Sequence, residues 1–177
     1  MRVAAVQMVS GPQWVDNLAQ ARQGVTQAAK AGAQLVVLPE YFCFMGHRDA
    51  DKLALAERSG DGPIQSALAD MARQCGVCLV GGTLPMATDD PLHVANASVV
   101  FDPQGRALSR YDKIHLFRFD DGRESYDESA VLTAGDTPTA WDLPDPNGHT
   151  WRVGMSICYD LRFGELYRAV AADVLLV

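Results

Sequence analysis

Apolar residues in this chain come in short unbroken runs, separated by stretches where they recur every three or four positions. Residues 3–9, VAAVQMV, form one such run and predict a buried strand. Leu18, Ala21, Val25, Ala28 and Ala29 then share one face at helical spacing. They predict a helix over 14–31, with Gly32 as its left-handed stop. Leu35-Val36-Val37-Leu38 is apolar at every position, as a strand covered on both faces would be, and Pro39 ends it. The unit then repeats. Asp61 or Gly62 can cap a helix with Pro63 in its first turn. Ile64, Ala67, Leu68, Met71 and Cys75 line one face, Gly76 stops the helix, and 77–80 is the next strand.

Beyond residue 80 the pattern changes. Residues 94–101 and 107–111 flank Asp102-Pro103-Gln104-Gly105, a turn sequence, and predict an antiparallel hairpin. Residues 118–150 are polar and rich in Asp, Gly and Pro, which predicts long loops. A strand over 153–157, a helix over 163–172 and a further strand from 174 complete the chain. Strands alternating with helices, plus a hairpin, give the α/β class with mixed sheets. The 177 residues suffice for one domain spanning 1–177 and are too few for two ordinary ones. The last apolar run has no closing helix, so the expectation is a domain incomplete at its C-terminus.

Composition narrows the function classes. A formal net charge of -7 with no Lys/Arg cluster argues against a nucleic-acid partner. No apolar run approaches the length that spans a bilayer, so no membrane role is expected. The N-terminal apolar stretch is too short for a secretory signal, which points to the cytoplasm, where thiols stay reduced. Cys75 and Cys78 have C-x-x-C spacing, but no second pair of cysteines or histidines completes a zinc site. The expectation is two buried apolar cysteines and no metal. Asn96-Ala97-Ser98 matches a glycosylation sequon in a chain with no other sign of secretion. Gly81-Gly82 is too short for a phosphate loop and suits a close approach of two backbones.

Three residues can carry chemistry. Glu40 lies just past the carboxyl end of a buried strand, where α/β sheets bind ligands, and a carboxylate there can act as a general base. Its plain alternative is a surface loop acid. Cys158 ends another strand, in Ser156-Ile157-Cys158-Tyr159-Asp160. A nucleophile at a strand-to-turn junction presents its sulfur at the sheet edge, with backbone N–H groups behind it for an oxyanion. The alternative is an inert buried thiol. Lys113 follows the hairpin and can stabilise developing negative charge; the ordinary fate of lysine is a solvated loop.

LPEYF, RYDKIHLF and SICYDLRF, in that order, resemble the Glu-Lys-Cys signature of the nitrilase superfamily of carbon–nitrogen hydrolases. The resemblance runs from the opening VAAVQM through GGTLP at 81–85 and NASVVFDPQGRALSRYDKIHLF at 96–117. It implies an α-β-β-α sandwich, here without its last strands and helices. It implies Glu40 as base for the Cys158 thiol, and Lys113 with the Tyr159 backbone N–H as oxyanion partners. It implies Glu128, in Tyr126-Asp127-Glu128-Ser129, as a positioning carboxylate. Tyr41 and Arg162 become pocket residues, Arg162 either as a partner for a substrate carboxylate or in a structural ion pair. The chain departs from the family pattern at Gly164, where proline is common. No cofactor is implied, and the full-length form is expected to be a homo-oligomer. The branch most similar takes small carboxylate-bearing primary amides, such as deaminated glutathione or 2-oxo-acid monoamides. A nitrilase or N-carbamoyl amidohydrolase shares the same three residues. A non-catalytic fragment is the alternative suggested by the chain's length. A papain-like thiol protease would need a histidine base; His115 is the one candidate, and it is expected to pack or hydrogen-bond structurally.

Overall fold

Two sheets face each other in the computed structural model, which describes residues 1–177. The first sheet contains β1 (Val3–Ala5), β2 (Leu35–Val37), β3 (Cys78–Val80), β4 (Leu84–Ala87), β5 (Val94–Phe101) and β6 (Ala107–Asp112). Its strand order is β1-β2-β3-β5-β4, with β6 also paired to β5. The β1–β2 and β2–β3 pairs are parallel, joined by helices α1 (Trp14–Lys30) and α2 (Pro63–Cys75). The pairs made by β5 are antiparallel.

The period of two in these strands explains the layers. Val36, Leu79, Val99 and Phe101 point one way, into a core with Ala21, Val25, Ile64, Leu68 and Met71 of the helices. Leu35, Cys78, Val80 and Val100 point the other way, onto Trp141, Leu143, Val153, Met155 and Ile157. Both faces are covered, so the runs are apolar throughout. Leu35, Leu68 and Leu79 are fully enclosed, and each such side chain contributes about 1.5–3 kcal/mol.

The second sheet holds β9 (Ala140–Pro144), β10 (Thr150–Gly154) and β11 (Val174–Leu175), in the order β11-β10-β9. Helix α3 (Gly164–Val170) covers its outer side. There α3 rests on bare backbone: a Cβ on Gly154 would lie 2.9 Å from Val170 Cγ2 and 3.1 Å from Ala172 Cβ. Helices, sheet, sheet and helix give the α-β-β-α layering. No helix is long and apolar enough to cross a membrane.

The structure corrects several expectations. The segment 118–150 is not simply loop. It contains the hairpin β7 (Arg118–Asp120) and β8 (Ser125–Asp127), a 3₁₀ turn at Glu128–Ala130, and β9. The β7–β8 hairpin is largely exposed, and its one aromatic per strand, Phe119 and Tyr126, alternates with polar residues over only three positions. The first strand stops at Ala5; Val6 adds one bond to the Val37 carbonyl and the chain then leaves the sheet. Gly62 is the cap of α2 with Pro63 as its first residue, as expected, but the side-chain acceptor at this end comes from elsewhere. The buried Glu57 carboxylate takes the N–H groups of Ile64 and Gln65. Gly62 is needed because a Cβ there would sit 2.2 Å from Glu57 Cδ. Cys78 is buried in β3, and burial pushes its thiol up to about 11. Cys75 is only half-buried, at the end of α2 beside Thr26.

Candidate active site

Glu40 is placed by a contact that only glycine permits. Gly82 follows β3 with a φ of +54°, and a Cβ on it would lie 2.1 Å from the Pro39 carbonyl oxygen. The two backbones therefore touch at the carboxyl ends of β2 and β3, as Gly81-Gly82 suggested. Thr83 Oγ1 accepts the Tyr41 N–H at 2.8 Å, holding Tyr41 at a φ of +53°. Gly82→Ala is expected to cost about 3 kcal/mol in urea unfolding, because the left-handed backbone and the carbonyl contact both oppose a side chain. A change under 0.5 kcal/mol would show that the contact yields freely.

Lys113 lies at the end of β6. Its N–H donates to the Asn96 carbonyl at 3.0 Å, and its carbonyl accepts from Gly135 at 2.8 Å. Its side chain is not solvated but fully enclosed. Nζ reaches Glu128 Oε1 at 2.9 Å and Glu40 Oε1 at 3.3 Å. Glu128 is held in turn by the Phe117 N–H, which donates to Oε2 at 2.7 Å. Asn96 Nδ2 donates to Glu40 Oε1 at 2.8 Å. Glu40 is thus no free surface acid. One ammonium stands between two carboxylates.

Cys158 begins a 3₁₀ turn (Cys158–Arg162) four residues after the end of β10, with a φ of +49°. That conformation costs a residue with a Cβ about 1–3 kcal/mol, and it turns an exposed sulfur out of the sheet edge. The turn's first bond runs from the Asp160 N–H to the Ile157 carbonyl, so the Cys158 and Tyr159 N–H groups have no acceptor within it. Burial and the Glu40 charge raise the thiol above its ordinary value, and the Lys113 charge offsets part of this. Burial alone would lower the Lys113 ammonium, but Glu128 and Glu40 outweigh it and the net shift is upward. The site therefore sets the Cys158 thiol, the Lys113 amine and two acidic side chains, Glu40 and Glu128, against one another. A cleft of about 290 Å³ opens beside Glu40 and Cys158, lined by Leu38, Val80, Ser98, Met155 and Ile157 among others.

The remaining candidates fall around this centre. Tyr41 lines a smaller cavity with Asn96 and Lys52, whose Nζ lies 4.7 Å from its ring centroid. Burial and the nearby carboxylates raise the Tyr41 hydroxyl well above the usual range. Tyr159 is half-buried, edge-on to Phe117 and Phe163 at 5.1 and 5.4 Å. Arg162 is exposed, outside the main cleft lining, and forms no ion pair, which removes the structural pairing weighed for it. His115 is engaged: Nδ1 lies 2.6 Å from Asp160 Oδ1 and the ring stacks on Phe163.

Sequence reasoning missed Asn96 and Asp160 as site residues. Asn96 carried a readable signal, since it is a large polar side chain in a strand buried at every position. Residues 2–175 match the carbon-nitrogen hydrolase family. The chain belongs to that family. This carbon–nitrogen hydrolase family member is 39% identical over 174 residues to a deaminated glutathione amidase of Yersinia enterocolitica. It is 34% identical over 171 residues to the ω-amidase NIT2 of Homo sapiens. The alignments cover 97% and 96% of this chain but 58% and 59% of those relatives. Among solved structures it resembles Saccharomyces cerevisiae Nit3, a member of the nitrilase superfamily, with a TM-score of 0.76 at 29% identity, over 92% of this chain and 56% of that one. The C. elegans NitFhit protein gives 0.80 at 30% identity, over 93% and 39%. A glutamate-to-glutamine mutant of an amidase from Nesterenkonia sp. AN1, 28% identical with a TM-score of 0.76 over 96% of this chain and 61% of that one, carries an acrylamide adduct on its active-site cysteine.

Proposed function

We propose that this protein hydrolyses small carboxylate-bearing primary amides through a thioester on Cys158, releasing ammonia. The observation that carries the reading is the single enclosed ammonium of Lys113, held between Glu128 and Glu40, the latter lining the Cys158 cleft. Glu40 takes the thiol proton as sulfur attacks the amide carbonyl. The oxyanion that forms is met by the Lys113 ammonium and the Tyr159 N–H. Glu40 returns the proton to nitrogen, ammonia leaves, and a thioester remains. Water, deprotonated by Glu40, then releases the acid and regenerates the thiol. No step calls for a cofactor.

Glu128 acts by holding Lys113. The unpaired Arg162 guanidinium suits a substrate carboxylate, and Tyr41 and Tyr159 are assigned to substrate binding with it. The amide class is supported by relatives named deaminated glutathione amidase and ω-amidase. Four free cysteines, one of them the nucleophile, suit the reducing cytoplasm. The protein is taken to be a homo-oligomer.

The purified protein should release ammonia from 2-oxo-acid ω-monoamides and deaminated glutathione faster than from matched nitriles or N-carbamoyl amino acids. Nitrile turnover exceeding amide turnover would move the assignment to a nitrilase. No release from any of the four by folded protein would reject it.

A further inference from the structure

The Asp160 carboxylate is completely enclosed, and neither a lysine nor an arginine pairs with it. Four donors fill it instead. Oδ1 accepts the His115 backbone N–H at 2.9 Å and faces His115 Nδ1 at 2.6 Å. Oδ2 accepts the Tyr111 hydroxyl at 2.7 Å and the Ile157 N–H at 2.9 Å. Three of these donors lie on residues 111–115, the segment that carries Lys113. The fourth, and Asp160 itself, belong to the turn that carries Cys158.

The Lys113 segment is otherwise bonded to the first sheet through Asn96 and to the 128–135 stretch through Glu128 and Gly135. The Cys158 turn hangs from the second sheet. Asp160 supplies the only hydrogen-bonded link between 111–117 and 156–163. His115 closes it from outside, its ring lying flat on Phe163 with centroids 3.6 Å apart and planes 7° apart. A displacement near 1 Å between a nucleophile and its electrostatic partner can cost a factor of about 100 in rate, so whatever joins these two segments governs turnover.

We infer that Asp160 and His115 form a positioning pair that sets the Lys113 ammonium against the Cys158 sulfur across the two sheets. The pair touches no reacting atom; it acts through the two residues it aligns. The inference rests on the thiol amidase reading for its role in turnover, and on geometry alone for its effect on Cys158.

Two variants separate donor from ring. His115→Phe keeps a flat ring against Phe163 and deletes the side-chain donor. His115→Asn restores an N–H near the Nδ1 position and deletes the ring. His115→Phe should lower kcat about 10- to 100-fold with KM within about twofold, and slow Cys158 alkylation by iodoacetamide in parallel. His115→Asn should recover most of both, even with a lower Tm from the lost stacking. Equal losses in the two variants, or a His115→Phe enzyme within twofold of the parent, would overturn the inference and leave His115 as packing. If the parent turns over no amide, the amidase reading fails by itself. Alkylation then still decides: a slower His115→Phe rescued by His115→Asn supports the pair, and equal rates overturn it.

Discussion

Glu40→Gln is expected to cut amide turnover about 10²- to 10⁴-fold while leaving Cys158 at least as reactive toward iodoacetamide. The substitution keeps the size of the side chain and leaves a carbonyl oxygen to accept from Asn96 Nδ2 and Lys113 Nζ, the two groups that hold Glu40 now. What it removes is the proton acceptor and one negative charge. Burial is the first reason the Cys158 thiol is raised and the Glu40 charge is the second, while Lys113 pulls the other way. Removing Glu40's charge therefore lowers the thiol toward its ordinary value and increases the thiolate fraction at neutral pH. Alkylation needs only thiolate. Acyl transfer also needs a group that returns the proton to the leaving nitrogen and later activates water, and glutamine does neither. The two readouts should part, turnover collapsing as alkylation holds or rises. A parallel fall in both would mean that Glu40 works by holding the cleft in shape.

The parts of this site that were legible in the sequence are those carried by local pattern. Leu35 to Leu38 reads as a buried strand because both its faces are covered, and that fixes Glu40 at its carboxyl end. Cys158 follows the buried Val153–Ile157 run, although the strand expected over 153–157 is β10, which ends at Gly154. Lys113 was legible as a position, but its burial was not, because the groups that neutralise it come from residues 40 and 128. Asp160 shows the same limit more sharply. Its donors at 111, 115 and 157 meet only once the two sheets are stacked. The strands within 118–150 were missed for different reasons. The β7–β8 hairpin is short and solvent-facing. In β9 the alternation of buried Trp141, exposed Asp142 and buried Leu143 is real but spans three residues amid Pro and Asp. Tertiary pairing, more than propensity, makes these segments strands.

Lys113→Met is expected to do two separable things: lower turnover about 10²- to 10³-fold, and destabilise the fold by about 3–5 kcal/mol. The first follows from losing the charge that meets the oxyanion. The second follows from Glu128, whose side chain is 6% exposed and whose Oε1 has Lys113 as its hydrogen-bond donor. Methionine leaves that carboxylate enclosed without a countercharge, beside a second carboxylate at Glu40. The double variant Lys113→Met/Glu128→Gln removes the stranded charge, so it should recover most of the stability in urea while remaining as inactive as the single variant. Recovery of activity together with stability would show that Lys113 serves only to neutralise Glu128. The thiol gives an independent sign. The Lys113 charge lowers the Cys158 thiol, so its loss raises the thiol further and slows alkylation at neutral pH. Glu40→Gln and Lys113→Met should therefore both silence turnover yet move Cys158 alkylation in opposite directions, a pattern that general damage to the cleft would not produce.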